Sequence, residues 1–425
     1  MSASTPRIAK KYLLVINIPH YETAEGRVVD DLWCKDLQLH RVYLEDLRLA
    51  SPVSRNTPPE NAKAMVDVAG LGTLHHVPLP DQGSTLRALR SAPRTLARLW
   101  KAVGEADVVH AGVAGWPYPL GWPAVLFAKL RRKSLVVNIE SAPWRLDWAA
   151  KAGVKARLRA ALYERLARIC VNSADLPMFT QEAYRDGLLK PGRPAYVDNA
   201  SWIDPETVLS EAQARSTWEA KPASPLRLLF AARVTEAKGI LVLLEAVRIL
   251  AARRSPVAVD VMGEGDALEA CRSLAGSLDG PTTLGLVPPR PYGPSFFEAI
   301  RLYHAVVVPN LSDEQPRIIY DAYSQALPVL ASDTPGDRSC TFEGRTGLLV
   351  PPGDPGALAD GALRLLETPA LAREMGMNAL RLAQSSTHRE KHIRRARILA
   401  GLLQDGRSLD EVLADDVDPT REFRQ

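Results

Sequence analysis

The sequence predicts an α/β protein of two doubly wound domains, each a parallel sheet covered by helices on both faces. Short continuous apolar runs recur along the chain, among them Tyr12–Ile18, Leu135–Ile139 and Ala305–Pro309. A strand that is apolar on both sides belongs to a sheet buried on both faces. Segments of helical periodicity separate these runs, as crossover connections between parallel strands require. At 425 residues the chain is also too long for one core, so two or three domains are expected.

Composition excludes several classes. An apolar share of 46% and a charged share of 24% are those of an ordinary soluble protein. The net charge is only +4, but residues 83–170 hold 16 Lys and Arg against 5 Asp and Glu. Such a concentration points to an acidic partner, either anionic lipid or a phosphate-bearing substrate. No motif of nucleic-acid recognition accompanies it, so nucleic acid is not expected. Cys34, Cys170, Cys271 and Cys340 lie far apart, without a C-x-x-C pair or a nearby His. Neither a disulfide framework nor a metal site is expected, and a cytoplasmic location fits. The N-terminal apolar run is too short for a signal peptide and reads as a first strand. Val108–Ala128 is uncharged for 21 residues, but Pro117, Pro119 and Pro123 interrupt it, so it reads as a loop between a strand and a helix rather than a membrane span.

The first domain is expected over residues 1–204. After strand Tyr12–Ile18 the loop PHYETAEGRVVDDLW has Gly26 as its single glycine, read as a turn residue. Strand Leu74–Pro78, helix Ser84–Val103 and strand Ala106–His110 follow. The helix places Arg87, Arg90, Arg94, Arg98 and Lys101 at three- to four-residue spacing, which makes one face cationic. A second basic helix spans Lys151–Ile169. A solvated face is the ordinary reading; a surface for anionic membrane or phosphate is the sharper one, which would put the protein at the inner face of the membrane. Between these helices, strand Leu135–Ile139 ends at Glu140, and Trp116, Tyr118, Trp122, Trp144 and Trp148 fall in the adjoining loops. Such aromatics stack on sugars, sit at a lipid interface or simply pack. Strand Ile169–Asn172 and a helix through FTQEAYRDGLL complete the domain, and Pro205 to Pro225 reads as a linker.

The second domain, 205–385, restarts the pattern. Strand Arg227–Ala231 leads through Arg233 and Lys238 into helix Ile240–Arg253. Two cations five residues apart beside a helix N-terminus can clamp a diphosphate. Strand Val257–Val261 ends in a turn holding Gly263 and Glu264. The segment from Ala305 to Gly336 then reads as a strand, an acidic loop carrying Asp313, a helix opening at Gln315, Pro316 and Arg317, and a strand Pro328–Ser332. Pro suits the first helical position, and Ile318, Ala322 and Ala326 would form the buried face. Asp321 lies roughly 7.5 Å along the axis from Pro316. That separation suits a ligand with phosphate at the helix tip and sugars to either side. Helices Gly356–Glu367, Pro369–Ala383 and His388–Leu403 finish the chain, and the polar tail after Asp405 is expected to fray.

Asp313-x7-Asp321, PVLASDTPG, RTGLLVPPGDP and Arg233-x4-Lys238-Gly239 together resemble the donor-site segments of the family 4 retaining glycosyltransferases, glycosyl transferases group 1. The resemblance is strong over 225–385 and weak over 1–205. It implies the GT-B fold, two Rossmann-like domains facing a central cleft, with the 386–425 helix returning to the first domain. It implies sugar transfer from a nucleotide-diphosphate sugar to the hydroxyl of a glycan, a glycolipid or a polysaccharide precursor, with no metal and no cofactor beyond that co-substrate. Arg233 and Lys238 would face the leaving diphosphate, Asp313 the donor sugar and Asp321 the ribose. Gln315, Pro316 and Arg317 would offer backbone N–H groups, and Gly263 and Glu264 would meet the base or sugar. Gly26, His110 and Glu140 are the acceptor-side candidates. The family usually carries Glu-x7-Glu with Gly-Phe-Pro after the first acid. Here both acids are Asp, each about 1.5 Å shorter, and Glu314-Gln315-Pro316 replaces the tripeptide. A non-catalytic glycosyltransferase-like subunit, binding a partner or a nucleotide sugar, therefore stays open as an alternative. A GT-B epimerase lacks supporting residues. A dinucleotide oxidoreductase is disfavoured because neither half has G-x-G-x-x-G.

Overall fold

The computed structural model describes residues 5–24, 26–65, 70–145, 153–199 and 201–424; Trp148 lies outside them. The chain divides into two compact units. One takes the chain up to Asp198 together with Lys391–Val417, and the other takes Asn199–Glu390 with the chain from Asp418 onward.

The strands of the first unit are β1 (Ile8–Val15), β2 (His20–Thr23), β3 (Gly26–Asp30), β4 (Leu44–Ser54), β5 (Ala62–Ala64), β6 (Thr73–Leu79), β7 (Val108–Gly112), β8 (Ser134–Ile139), β9 (Leu176–Phe179) and β10 (Tyr196–Val197). The order β10-β9-β8-β7-β1-β4 is parallel throughout, β6 adds to β4, and a small antiparallel ribbon of β2, β3 and β5 continues from β4. Burial explains the sheet: Tyr12 to Val15 are all buried, as are Leu135 to Ile139. The longest strand, β4, was absent from the sequence reading. Its charged residues Glu45, Asp46 and Arg48 hide the buried run Leu49–Pro52. The expected strand Ile169–Asn172 is corrected. Helix Val154–Ser173 runs through it, because Ala167, Cys170 and Val171 continue one buried helical face, and the strand is β9.

The second unit has six parallel strands: β11 (Leu226–Ala231), β12 (Val257–Met262), β13 (Thr283–Val287), β14 (Ala305–Val308), β15 (Val329–Ser332) and β16 (Gly347–Val350), in the order β13-β12-β11-β14-β15-β16. The chain winds outward from β11 and then returns to β14 beside it. The order therefore reverses between β11 and β14, and the crevice outside the carboxyl ends of two such strands is where α/β sheets bind ligands. Helices Ile240–Ala252 and Pro355–Glu367 pack together over one face, burying Leu243, Val247, Leu358 and Leu365. Phe297, Ile319, Tyr323 and Leu382 cover the other.

Two further expectations are corrected. The Pro205–Pro225 stretch is not merely a linker: Glu211–Glu219 is a helix with a Ser210/Gln213 capping box, and Trp218 on it is buried. Nor does the tail fray. Leu409–Ala414 is a helix with its own capping box, and Phe423 is buried in a stack on Phe342. Within the first unit, Asp198 is surrounded by Lys391, Arg394 and Arg395 of helix His388–Leu403, at 3.7, 3.9 and 3.8 Å. Among the described residues no helix is long and apolar enough to cross a membrane.

Candidate active site

The site candidates of the second unit collect on the loops at the carboxyl ends of β11, β12 and β14. The β11 loop carries Arg233, then a 3-10 turn Glu236–Lys238 that closes on Gly239. Val234 is fully buried and knits this loop to the next: its N–H donates to the Glu264 carbonyl at 2.8 Å, and its own carbonyl accepts from Ala267 N–H at 3.1 Å. Leu311 N–H donates to the Ala237 carbonyl at 3.1 Å, which ties in the β14 loop. Three loops thus share one backbone frame. Their contact is so close that a side chain at Gly263 would overlap the Ala232 carbonyl.

Within that frame Arg233 is exposed. Lys238 is largely covered, and its Nζ lies 2.8 Å from Glu314 Oε2, whose side chain is 58% exposed. A solvated pair of this kind contributes about 1 kcal/mol or less. The carboxylate is therefore easily displaced, and it marks a place where Lys238 holds an anionic oxygen. Glu314 stands where the resembled family has an uncharged tripeptide, so this partner was legible only as a departure.

The acidic loop is shaped by Asn310, which the sequence reading missed. Buried directly after β14, it donates from Nδ2 to the Ser312 carbonyl at 3.0 Å and to the Glu314 carbonyl at 3.4 Å. Asp313 is half-buried beside these residues, and its carbonyl oxygen would sit 2.7 Å from a Cβ at Gly336. Gln315 lies against the Cys340 thiol. The helix begins later than expected, at Ile318, and is only seven residues long; Pro316 and Arg317 form the turn before it, accepting from Ile319 and Tyr320 N–H. All seven of its residues are buried, including Asp321, so the expectation of one buried face was too narrow.

Asp321 is 5% exposed and accepts a 2.9 Å hydrogen bond on Oδ1 from the Tyr292 hydroxyl. Desolvation, then the Asp321 charge, push the Tyr292 phenol above its ordinary range, although the residue as a whole is 45% exposed. Tyr292 was missed because it sits in a Pro-rich loop without periodicity. Asp337 was also missed. It lies on the short helix Pro335–Arg338, fully buried, and neither carboxylate oxygen has a hydrogen-bond partner among the described residues. Burial drives its carboxyl well above the usual range, against the pull of the nearby Thr334 hydroxyl and then of the Lys238 charge.

The acceptor-side candidates of the first unit are not alike. Gly26 is exposed with φ +125°, opening β3 opposite Thr23, the geometry of a hairpin turn. His110 is buried in β7, hydrogen-bonded to the Tyr12 hydroxyl at 3.0 Å, with burial holding its pKa well below the usual value. That is a core histidine. Glu140 is exposed at the carboxyl end of β8, 3.0 Å from Asn138 Nδ2; desolvation by the protein around it, followed by the Asp36 carboxylate, raises its carboxyl. Trp144 is buried on Glu164, and Trp122 packs edge-on against Tyr163, whereas Trp116 is 58% exposed.

One group among the described residues has spacing suited to a metal: buried Asp36, His40 and His392, in the first unit. Its polar atoms are already used. Asp36 takes His40 Nδ1 at 3.1 Å and His392 Nε2 at 3.0 Å, while Arg395 lies 3.3 Å from His40 Nε2. A resident guanidinium opposes a divalent cation there, and the group reads as a polar core network.

Comparison with known proteins gives the family and the fold. The model for "Glycosyl transferases group 1" matches residues 225–368, and that for "Glycosyl transferase 4-like domain" matches residues 45–197. The chain is 34% identical over 308 residues to the phosphatidyl-myo-inositol mannosyltransferase of Mycobacterium leprae (strain TN), covering 69% of this chain and 74% of that protein. It is 28% identical over 192 residues to the alpha-D-kanosaminyltransferase of Streptomyces kanamyceticus, covering 44% of this chain and 48% of that one, about half its length. The fold is similar to that of HepE of Anabaena, solved in complex with UDP, with TM-score 0.61 and 14% identity over 93% of this chain and 100% of that one. Two doubly wound parallel-sheet units with the fold of HepE define a GT-B protein. The chain belongs to the glycosyl transferases group 1, the family 4 glycosyltransferases.

Proposed function

We propose that the chain moves a sugar from a nucleotide-diphosphate sugar to the hydroxyl of a glycan or lipid-linked acceptor, retaining the anomeric configuration. The observation that carries this reading is Lys238, held by three laced loops at the β11/β14 switch point and already gripping a carboxylate oxygen at 2.8 Å. When the diphosphate arrives it replaces the Glu314 carboxylate, and Lys238 with Arg233 neutralises the charge that grows on the leaving group. Asp321, steadied by Tyr292, accepts from the ribose hydroxyls, and Asp313 from the donor sugar. The cations Lys238 and Arg233 supply the charge a metal would otherwise bring, which supports a metal-independent reaction. The UDP in HepE supports a nucleotide sugar as co-substrate, and the mannosyl transfer named for the mycobacterial relative supports transfer of a sugar. Purified protein given UDP- and GDP-sugars with phosphatidylinositol or an inositol phosphate should form a glycoside of the donor's own anomeric configuration, read by proton NMR. A product of opposite configuration contradicts retention. Tight nucleotide binding with no transfer to any acceptor favours the non-catalytic subunit.

The acceptor is proposed to be anionic and met at a membrane surface. Helix Thr85–Glu105, helix Gly121–Leu130 and helix Val154–Ser173 pack side by side in the first unit. They expose Leu86, Leu89, Leu126, Leu130, Leu158 and Leu162, each more than half accessible. The same helices expose arginines, among them Arg90, Arg94, Arg98, Arg157 and Arg165. Apolar side chains accompanied by cations suit the headgroup region of an anionic bilayer. The phosphatidyl-myo-inositol in the relative's name fits the same surface. The protein should sediment with phosphatidylglycerol vesicles, release at high salt and do so less well as Arg94→Glu/Arg98→Glu. Equal recovery with neutral vesicles overturns membrane contact.

A further inference from the structure

A cavity of about 290 Å³ lies in the second unit at the amino ends of β11 and β14, lined among others by Trp218, Lys221, Leu226, His304, Leu366 and Arg373. The six-residue strand β11 separates it from the Arg233 loop, a length of roughly 16 Å. It is therefore not part of the donor site.

Its chemistry centres on one amine. Lys221 Nζ is buried, has no hydrogen-bond partner among the described residues, and lies 3.8 Å from the centroid of the Trp218 ring. The side chains around it are engaged elsewhere. His304 has both nitrogens engaged: Nδ1 accepts from Arg227 N–H at 2.9 Å and Nε2 donates to the Pro222 carbonyl at 3.0 Å. Trp218 spends its indole N–H on the Ala326 carbonyl at 2.9 Å. On the helix Glu211–Glu219, Glu219 is paired outward with Arg373 of helix Pro369–Ser385 at 3.2 Å, and on β11 the Arg227 guanidinium lies 3.8 Å from Asp260. Burial accordingly lowers the Lys221 amine to about 7. A buried donor left without an acceptor is costly, and an apolar cavity beside it has room for the group that would satisfy it.

We propose that this cavity is a binding site for a small monocarboxylate with an apolar body, its carboxylate held by the Lys221 amine. The other cation of the lining, Arg373, is already paired with Glu219, which leaves one amine to match one negative charge. Leu226, Leu365, Leu366 and Ala370 suit a hydrocarbon or aromatic body. The volume is at the lower end for ligand pockets, so the ligand is fragment-sized. Binding restores the charge on Lys221, and the ammonium then sits between the carboxylate and the indole face.

The test is calorimetric titration of the full chain at pH 7 with hexanoate and 3-phenylpropanoate, and with the corresponding primary amides. At least one acid should saturate a single site, with its amide at least tenfold weaker. Lys221→Met, which keeps the length and the contact with Trp218, should weaken the acid at least tenfold and leave nucleotide binding unchanged. Above pH 7 the acid should weaken by about tenfold per pH unit, because the amine must take up a proton to bind it. Wild-type protein that binds neither acid, an amide that binds as tightly as its acid, or Lys221→Met binding the acid as wild type does would each overturn the proposal.

Discussion

Lys238→Ala is expected to lower sugar transfer by about 100- to 1000-fold, the range seen when a preorganised group facing developing charge is removed. The circular dichroism spectrum and melting temperature should be unchanged. Among the described residues its one hydrogen-bond partner is the exposed Glu314 carboxylate, which water satisfies as well once Lys238 is gone, and the buried Asp337 carboxyl feels its charge without a hydrogen bond to it. The backbone that places it, from the Thr235 carbonyl to Gly239 N–H, involves no side chain at 238. A variant with near-normal turnover would mean that the diphosphate lies elsewhere. Arg233→Ala should act in the same direction with a smaller loss, since its exposed side chain is less well held.

The second large effect is on the frame. Gly239→Ala should destabilise the second unit by about 2–4 kcal/mol, because two costs coincide. Gly239 has φ +75°, a left-handed conformation that disfavours any Cβ, and the Cβ would run into the Pro309 carbonyl at the end of β14. Gly344 provides the control, with φ +67° and open space around it; Gly344→Ala should cost only the conformational part, about 1–2 kcal/mol. Thermal or urea unfolding of the two variants side by side reads the difference. Equal losses would show that the β11 and β14 loops can separate without penalty. Gly239→Ala should also weaken nucleotide binding, as the neighbouring Lys238 moves with the turn.

These two residues were the most legible in the sequence. Arg233, Lys238 and Gly239 follow a strand at fixed spacing, and the reason is local: a strand, a tight turn and a helix start are each coded by neighbours. Strands β11, β12, β14 and β15 of the second unit were equally readable, because they are short and largely buried apolar runs, whereas the edge strands β13 and β16 were not read as strands. What could not be read depends on residues distant in sequence. Tyr292 meets Asp321 from a loop without periodicity, and the burial of Asp337 is decided by packing around a four-residue helix. Glu314 reaches Lys238 across 76 positions. In the first unit β4 was hidden by its charged start, and His110, placed at a strand end, is instead mid-strand and paired with Tyr12. For Tyr292, Glu314 and His110 the partner lies far along the chain.

The most direct measurement is calorimetric titration of wild-type protein with UDP, GDP, ADP and the corresponding monophosphates. One diphosphate should bind at a single site, at least tenfold more tightly than its monophosphate, and Lys238→Ala should remove that advantage. Glu314→Gln should strengthen the same binding, since the carboxylate that competes for Lys238 is gone. A chain that binds no nucleotide, or that binds mono- and diphosphates alike with or without Lys238, would contradict the placement of the donor diphosphate at the β11 and β14 loops.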